Sequence, residues 1–225
     1  MRPGESAEQY LDAFDRDKPY WNLFYSGKSA TQEPSPFAQE ILPQLLPGKY
    51  LVDMGCGNGR DSMYFAANGL RVLGVDASDV AIRALKEKEV ADKLTFRCTD
   101  FVSIDLPDDS VDYCYCRFTL HAVNETQGTT MLKNIYRLLR PTGELFIEAR
   151  SIYDPLCGKG EQVGENAYVY DGHYRRFLSQ QQVKAELEQI NLRIRFCEVS
   201  DAFAPYKGEN PPVLRVIAQK GDKEQ

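Results

Sequence analysis

A glycine-rich turn after an apolar strand is the first feature of the chain with a definite chemistry. The strand ends beside Asp53, and Gly55, Gly57 and Gly59 follow at alternate positions before a helix begins. Glycines let the backbone turn sharply and approach a ligand that a Cβ atom would block. A dinucleotide site spaces its glycines G-x-G-x-x-G and binds a pyrophosphate. Here the third glycine comes one residue earlier, and the charge of Asp53 would repel a diphosphate. The turn therefore favours a cationic ligand without phosphate.

Acidic residues end two further segments of the same kind. Asp76 closes the second predicted strand, where a carboxylate can accept both hydroxyls of a ribose. Asp100 and Phe101 follow the third predicted strand. The carboxyl ends of parallel strands meet at one edge of a sheet, so we expect these groups to lie close together.

This order of motifs resembles the class I SAM-dependent methyltransferases, whose first motif reads D-x-G-x-G-x-G. The resemblance implies that S-adenosylmethionine (SAM) is the methyl donor and S-adenosylhomocysteine the product. It also implies a Rossmann-like, doubly wound α/β sheet of seven strands, mostly parallel, with an antiparallel last strand. Asp100 would bind the adenine amino group, and Phe101 would supply a backbone N–H and an apolar wall. The implied donor-binding residues are Asp53, Gly55, Cys56, Gly57, Gly59, Asp76, Ala77, Asp100 and Phe101.

An aromatic cluster near the N-terminus is a further candidate for donor contact. Tyr20, Trp21 and Tyr25 could cover the donor, because a sulfonium is attracted to ring faces. Alternatively, the cluster is the apolar underside of a helix packed on the core. Trp21 is the residue that we expect to touch the donor.

His121 follows the fourth predicted strand and is the candidate general base. An unperturbed imidazole titrates near neutrality, and a hydroxyl acceptor needs a base. The alternative is a loop histidine that hydrogen-bonds the start of a helix. Arg117 and His173 are the other candidate catalytic residues.

Basic residues at strand ends and in residues 151–178 form a candidate anion pocket. Arginine forks bind phosphate and carboxylate groups in bidentate fashion. The alternative is that the arginines pair with Glu148, Asp154 and Asp171 and hold this segment in place. The candidate acceptor-binding residues are Arg150, Tyr170, Arg175 and Arg176.

Strands and helices alternate along the chain, which predicts a parallel, doubly wound sheet. We expect an N-terminal helical cap over residues 1–47, one domain over residues 48–220 with a substrate lid at residues 151–178, and a tail at residues 221–225. The expected helices run from Arg60 to Asn68, from Ser78 towards Val90, from Asn124 until Pro141 stops it, and from Ser179; the later strands are residues 143–149, 192–199 and 213–218.

The composition limits the kinds of protein that the chain can be. With 225 residues and 43% hydrophobic residues, the chain suffices for one well-buried domain. A net charge of −6 argues against a general binder of nucleic acids or anionic membranes. The N-terminus lacks an apolar signal region, and six cysteines include no C-x-x-C pair. We therefore expect a cytoplasmic monomer or homodimer with reduced thiols. With two histidines and no ligand-like spacing, we expect no metal site.

Three short segments, residues 33–38, 117–122 and 208–216, narrow the resemblance. They are similar to bacterial small methyltransferases found with surface-polysaccharide and capsule biosynthesis, and the glycine motif distantly resembles the tellurite-resistance type. This implies O-methylation of a small anionic acceptor, a sugar hydroxyl or a phosphate-type group on a glycan precursor. Three alternatives stay open: an N- or S-methyltransferase on a small metabolite, an NAD-dependent oxidoreductase, and a non-catalytic SAM-binding partner.

Overall fold

A computed structural model describes residues 13–26, 33–205 and 210–222. Seven strands form the main sheet in the order β3-β2-β1-β4-β5-β10-β9. Strand β10, the last in the chain, runs antiparallel to both of its neighbours, whereas β1 to β5 pair in parallel. The predicted fold class is therefore confirmed. The main-sheet strands are β1 (Tyr50–Met54), β2 (Arg71–Asp76), β3 (Leu94–Cys98), β4 (Val111–Arg117), β5 (Leu139–Arg150), β9 (Leu192–Ser200) and β10 (Val213–Lys220).

Polar side chains start the helices where the sequence predicts them. The hydroxyl of Ser78 accepts the Ala81 N–H at 3.1 Å. Asn124 and Gln127 form a reciprocal capping box at the start of the fifth helix. The helices are α1 (Ala13–Ser26), α2 (Pro36–Ile41), α3 (Arg60–Ala67), α4 (Asp79–Leu85), α5 (Glu125–Leu138) and α6 (Gln180–Gln189).

Successive strand residues point to opposite faces of the sheet, so each face has its own buried cluster. Val52 belongs to the cluster that contains Ile135 of α5. Its neighbour Leu51 belongs to the cluster that contains Phe37 of α2 and Phe65 of α3. Helices on both faces leave the carboxyl edge of β1, β2 and β4 open to the connecting loops, where ligands bind in such sheets.

One predicted helix end is wrong. The helix from Asn124 ends at Leu138 and not at Pro141, which lies inside β5. The pairing of β4 with β5 shifts register over this stretch, and an irregular strand start tolerates a proline. The helix from Ser78 is α-helical to Leu85 and continues towards Val90, as predicted, as a 3₁₀ helix over Lys86–Lys88.

Residues 151–178, predicted only as a lid, contain a second sheet. Its three short strands, β6 (Glu161–Gly164), β7 (Ala167–Tyr170) and β8 (His173–Arg176), are antiparallel in the order β6-β7-β8. Asp171 and Gly172, both with positive φ, form the turn between β7 and β8. We call this unit the small sheet. Of the predicted cap and tail, residues 1–12, 27–32 and 223–225 lie outside the described residues, as do residues 206–209.

Candidate functional site

The glycine turn after β1 has the backbone conformation that its sequence predicts. Gly55, Gly57 and Gly59 have φ angles of +76°, +54° and +72°, which other residues rarely adopt. A Cβ atom on Gly55 would lie 2.5 Å from the Thr119 hydroxyl, and one on Gly57 would collide with the Tyr25 hydroxyl. Both glycines are therefore required by close approach as well as by conformation.

Asp76 organises the edge between β1 and β2. Its Oδ2 atom accepts the Gly57 N–H at 2.8 Å, and its Oδ1 atom accepts the Ser78 N–H at 2.8 Å. Burial raises the pKa of Asp76, while these N–H donors oppose the rise. Each carboxylate oxygen has a further lone pair, so the group can still accept a hydroxyl from a ligand.

The carboxyl group of Asp53 is buried beneath the glycine turn. It is 3% exposed, and Ser62 donates a hydroxyl hydrogen bond to its Oδ2 atom at 2.5 Å. Burial and, to a smaller extent, the nearby carboxylates of Asp61 and Asp76 raise the pKa of Asp53 to about 7, although the Ser62 hydrogen bond lowers it. A cation bound nearby would stabilise the ionised form of Asp53. The electrostatics of the turn thus suit a cationic ligand.

The other predicted donor-binding residues lie at or near the same edge. The Thr99 N–H donates to the Asp76 carbonyl, which brings the end of β3 beside that of β2. Asp100 accepts the Val102 N–H at 2.8 Å, and Phe101 is buried. Cys56 is buried within the turn, and Ala77 directly follows Asp76.

Helix α1 lies over this edge and extends to the small sheet. The Ser78 hydroxyl donates to Asn22 Oδ1 at 2.6 Å, and Asn22 Nδ2 donates to Asp79 at 3.1 Å. On the other side, the Tyr20 ring stacks on the His173 imidazole. No local signal in the sequence marks Asn22, because one polar residue in a helix gives no indication of a contact 56 residues away.

Trp21 and Tyr25 on α1 have different surroundings. Trp21 packs edge-on against His173, with ring centroids 5.1 Å apart, and stacks with Tyr25 at 6.2 Å. Tyr25 lies against Gly57, and the pKa of its phenol is raised by burial and then by the charge of Asp76. On this geometry Tyr25, rather than the predicted Trp21, is the aromatic residue next to the glycine turn.

His121 is buried in a short 3₁₀ helix (Leu120–Ala122) after β4, with an exposed fraction of 5%. Its Nδ1 atom has no hydrogen-bond partner among the residues that the structure describes. Burial holds the pKa of His121 well below its usual range. Positive charges around it act in the same direction, namely those of Arg150, His173, Arg175 and Arg176. The imidazole is therefore neutral near pH 7 and has a lone pair with which to accept a proton.

Phe118 is a site residue that the sequence analysis did not single out. It has a φ angle of +54°, which is unusual for a bulky residue and indicates a strained backbone. The Arg117 guanidinium lies 4.5 Å from its ring centroid, that of Arg150 lies 6.0 Å away, and the His121 ring meets it edge-on at 5.4 Å. This conformation places an aromatic surface between two cations and the candidate base.

The two arginines at strand ends have acidic neighbours. Arg117 Nε lies 2.9 Å from Glu148 Oε1, and Arg150 Nη1 lies 2.5 Å from Asp154. Glu148 also accepts a hydrogen bond from Arg215 at 2.6 Å. The alternative in which the arginines pair with acidic residues is therefore observed for Glu148 and Asp154. Asp171 takes part in neither contact.

The two arginines of the small sheet differ from each other. Arg175 is half-buried and donates to the Tyr170 carbonyl at 3.2 Å. Arg176 is buried beneath α5, donates to the Leu120 carbonyl at 3.5 Å and lies 4.0 Å from Glu186. Arg176 thus connects the small sheet to the main domain.

Neither a membrane-spanning helix nor a metal cluster stands out in the described parts of the chain. No helix there is long and apolar enough to cross a membrane. No group of three or more histidine, cysteine, aspartate or glutamate residues there is placed to hold a metal ion.

Comparison with known sequences identifies one domain. Residues 52–147 match a family described as "Methyltransferase domain". A malonyl-[acyl-carrier protein] O-methyltransferase from Yersinia pestis is 29% identical over 132 residues, which are 58% of this chain and 48% of that protein. The chain thus spans about half the length of this curated relative.

Comparison with solved structures supports the same fold. A SAM-dependent methyltransferase from Methanosarcina mazei superposes with a TM-score of 0.72 at 18% identity, over 82% of this chain and 98% of that one. A 1,6-didemethyltoxoflavin N1-methyltransferase from Burkholderia thailandensis, solved with S-adenosylhomocysteine, gives 0.70 at 18% identity over 99% and 93%. The predicted resemblance to class I is confirmed, whereas the narrower resemblance to polysaccharide-associated enzymes stays a prediction.

Proposed function

We propose, on the premise that the chain is a class I SAM-dependent methyltransferase, that it O-methylates a small anionic acceptor with His121 as the general base. The observation that carries the proposal is His121 itself. It is a buried, neutral imidazole in the loop after β4, and the cations around it can attract an anion.

The residues at the carboxyl edge fit SAM. The bare backbone of Gly57 allows the close approach of the Tyr25 hydroxyl to the turn, and the Asp76 carboxylate can accept ribose hydroxyls. Asp53 supplies the negative charge that a sulfonium and an ammonium group favour. When bound, the donor supplies an electrophilic methyl group on sulfur. The residues proposed to hold it are the nine implied by the motif, together with Tyr25 and Trp21.

Positioning and proton acceptance are the tasks left to the chain. Alignment of the acceptor oxygen with the methyl carbon can remove ~7–11 kcal/mol of barrier. Phe118 offers a flat apolar surface beside His121, and Arg150 and Arg175 offer cationic groups at its rim. Arg117 is held by Glu148 and would support Phe118 rather than move a proton.

The acceptor class is the finer part of the proposal. Its charge is inferred from the guanidinium groups of Arg150 and Arg175, whose charges act on His121. A glycan precursor that carries a phosphate-type group, on which a sugar hydroxyl can be the methylated atom, meets this requirement. We infer that Tyr170, an exposed residue of the small sheet, contacts such an acceptor. The small sheet itself would act as the lid.

Calorimetry and a product assay test the proposal. We expect SAM and S-adenosylhomocysteine to bind and NAD to bind poorly, because Asp53 opposes a diphosphate. Anionic sugars and sugar phosphates should then release S-adenosylhomocysteine from SAM, and His121→Asn should abolish release while leaving donor affinity unchanged. Tight NAD binding without SAM binding would overturn the proposal. Donor binding without turnover on any acceptor would favour a non-catalytic partner.

An N-methyltransferase is the second candidate, since the Burkholderia N1-methyltransferase superposes over 99% of the chain. An amine or ring nitrogen that is already unprotonated needs no base. His121→Asn therefore separates the candidates: an O-methyltransferase loses its activity, and an enzyme acting on such a nitrogen retains most of it.

A further inference from the structure

We propose that an anionic group of the acceptor, held between Arg150 and Arg175, is what makes His121 basic enough to take the hydroxyl proton. The inference rests on the proposed function and deepens it, because it assigns the acceptor's charge a role in the reaction in addition to binding. The acceptor then activates its own base.

Contacts with Phe118 bring Arg150 and His121 together, and the hydrogen bond from Arg176 to the Leu120 carbonyl sets β8, which carries Arg175, beside the His121 loop. Arg150 ends β5, and its guanidinium and the His121 ring both lie against the ring of Phe118, at 6.0 and 5.4 Å. Arg175 projects from β8 and is half-buried, and the Arg150 side chain is 26% exposed, so both can meet a ligand. His121 is 5% exposed and lies deeper than either arginine.

The charges facing His121 come from three strands and are mostly positive. Arg117 of β4 is balanced by Glu148, and Arg150 of β5 by Asp154. Strand β8 of the small sheet contributes His173, Arg175 and Arg176. Of these, Arg176 has an acidic neighbour, Glu186 of α6, at the longer distance of 4.0 Å.

A proton on His121 is therefore opposed by burial and by its cationic neighbours. An anion placed among these cations has the opposite effect, because it stabilises the imidazolium. Interactions between charges are stronger in a buried site than in water, so a single anionic group can change the proton affinity of His121 substantially.

The acceptor oxygen forms its bond to the methyl carbon as the bond between that carbon and sulfur breaks. The hydroxyl proton passes to His121, and S-adenosylhomocysteine is the leaving group. The imidazolium so formed lies beside the acceptor's anionic group, and it returns its proton to solvent when the products leave.

Proton NMR can test this directly, because the chain has only two histidines. A His173→Asn variant leaves the His121 ring as the sole imidazole signal. We would titrate this ring in the presence of S-adenosylhomocysteine, first alone, then with inorganic phosphate, with glucuronate and with neutral glucose. We expect phosphate or glucuronate to raise the proton affinity of His121 at least about tenfold, and glucose to leave it unchanged. The anion that acts distinguishes a phosphate-bearing from a carboxylate-bearing acceptor.

Arginine variants make the test independent of ligand affinity. In the free protein, Arg150→Gln removes the cation that shares the Phe118 ring with His121 and should raise the proton affinity of His121, and Arg175→Gln should do so less. Arg193→Gln, an exposed site on β9, should have no effect. A His121 titration that ignores both anions and both variants would overturn the inference. Calorimetry with S-adenosylhomocysteine on the same samples would show whether the proposed donor site survives that result.

Discussion

The Tyr20 ring lies flat on the His173 imidazole, with ring centroids 4.2 Å apart and ring planes 17° apart. These residues belong to α1 and β8, so the contact joins the helix over the glycine turn to the small sheet. On its other side, α1 is hydrogen-bonded to Ser78 and Asp79 at the start of α4 through Asn22. One helix therefore contacts both the proposed donor site and the proposed acceptor site.

Tyr20→Ala tests whether this stack positions the acceptor site. We expect the variant to raise the KM for the acceptor several-fold and to leave the affinity for S-adenosylhomocysteine nearly unchanged, because the stack lies on the small-sheet side of α1. An aromatic stack contributes ~0.5–1.5 kcal/mol beyond its buried area. Steady-state kinetics and calorimetry measure the two effects separately.

Tyr20→Phe is the matched control, since it keeps the ring and removes only the hydroxyl. It should behave like the wild type. If both variants weaken donor binding equally, the contact acts through the fold of α1 and not through His173.

Gly57→Ala tests the close approach over the turn. A side chain at φ +54° costs about 1–2 kcal/mol, and the new methyl group would collide with the Tyr25 hydroxyl. We expect the affinity for S-adenosylhomocysteine to fall at least about tenfold by calorimetry, because 1.4 kcal/mol of lost binding corresponds to that factor. Thermal denaturation should show the backbone cost as lost stability.

Two further variants separate strain from contact. Gly158→Ala has the same kind of backbone cost at φ +86°, but nothing lies within 4 Å of its Cβ position. It should lose stability and keep full donor affinity. Tyr25→Phe in the Gly57→Ala background removes the colliding hydroxyl and should recover part of the stability. If the Gly158 variant were as defective in donor binding as the Gly57 variant, the proposed role of the glycine turn in donor binding would be contradicted.

The sequence predicts those parts of the site that depend on residues close together in the chain. Gly55, Gly57 and Gly59 need positive φ angles at a strand end, and an acid at the end of β2 lies where the parallel sheet must place it. The cap at Asn124 is likewise local. Such features depend on spacing alone, so one sequence suffices to find them.

The parts that the sequence does not predict depend on distant contacts. The stack of Tyr20 on His173 joins residues that are far apart in the sequence, and no local pattern marks it. Phe118 adopts its strained φ because the surrounding structure holds it, against its own preference. The small sheet has strands of four residues among glycines, too short for a clear alternation of apolar and polar side chains.

Asp53→Asn should make the protein more stable at neutral pH. The pKa of Asp53 is raised from 3.8 to about 7, so between these values the folded state keeps a proton that the unfolded chain has lost. The unfolded state then binds fewer protons, and stability falls as pH rises across this interval. We expect the variant to exceed the wild type above pH 7 by up to a few kcal/mol, and the two curves to converge near pH 4 in urea denaturation.

The same substitution should weaken SAM binding more than S-adenosylhomocysteine binding, because only SAM carries a sulfonium. In the wild type, SAM favours the ionised carboxylate, so its affinity should rise as pH increases through 7 and a proton should be released on binding. Calorimetry in buffers of different ionisation enthalpy counts that proton. An affinity for SAM that is independent of pH in the wild type would exclude Asp53 as the partner of the cation.

Glu148→Gln should destabilise the fold, since Glu148 is fully buried and lies between two arginines. It accepts the Arg215 Nε–H at 2.6 Å and lies 2.9 Å from Arg117 Nε. Removing one partner of a buried ion pair costs about 3–5 kcal/mol, because the remaining charges are left uncompensated. Arg215 retains Glu40 as a second partner, so we expect a loss near the lower limit, measured by urea denaturation.

Asp108→Asn, which breaks an exposed pair with Arg137, should change stability by less than about 1 kcal/mol. A Glu148 variant as stable as the Asp108 variant would mean that water or a shifted side chain satisfies the two arginines, and the support that Arg117 gives to Phe118 would then not depend on Glu148.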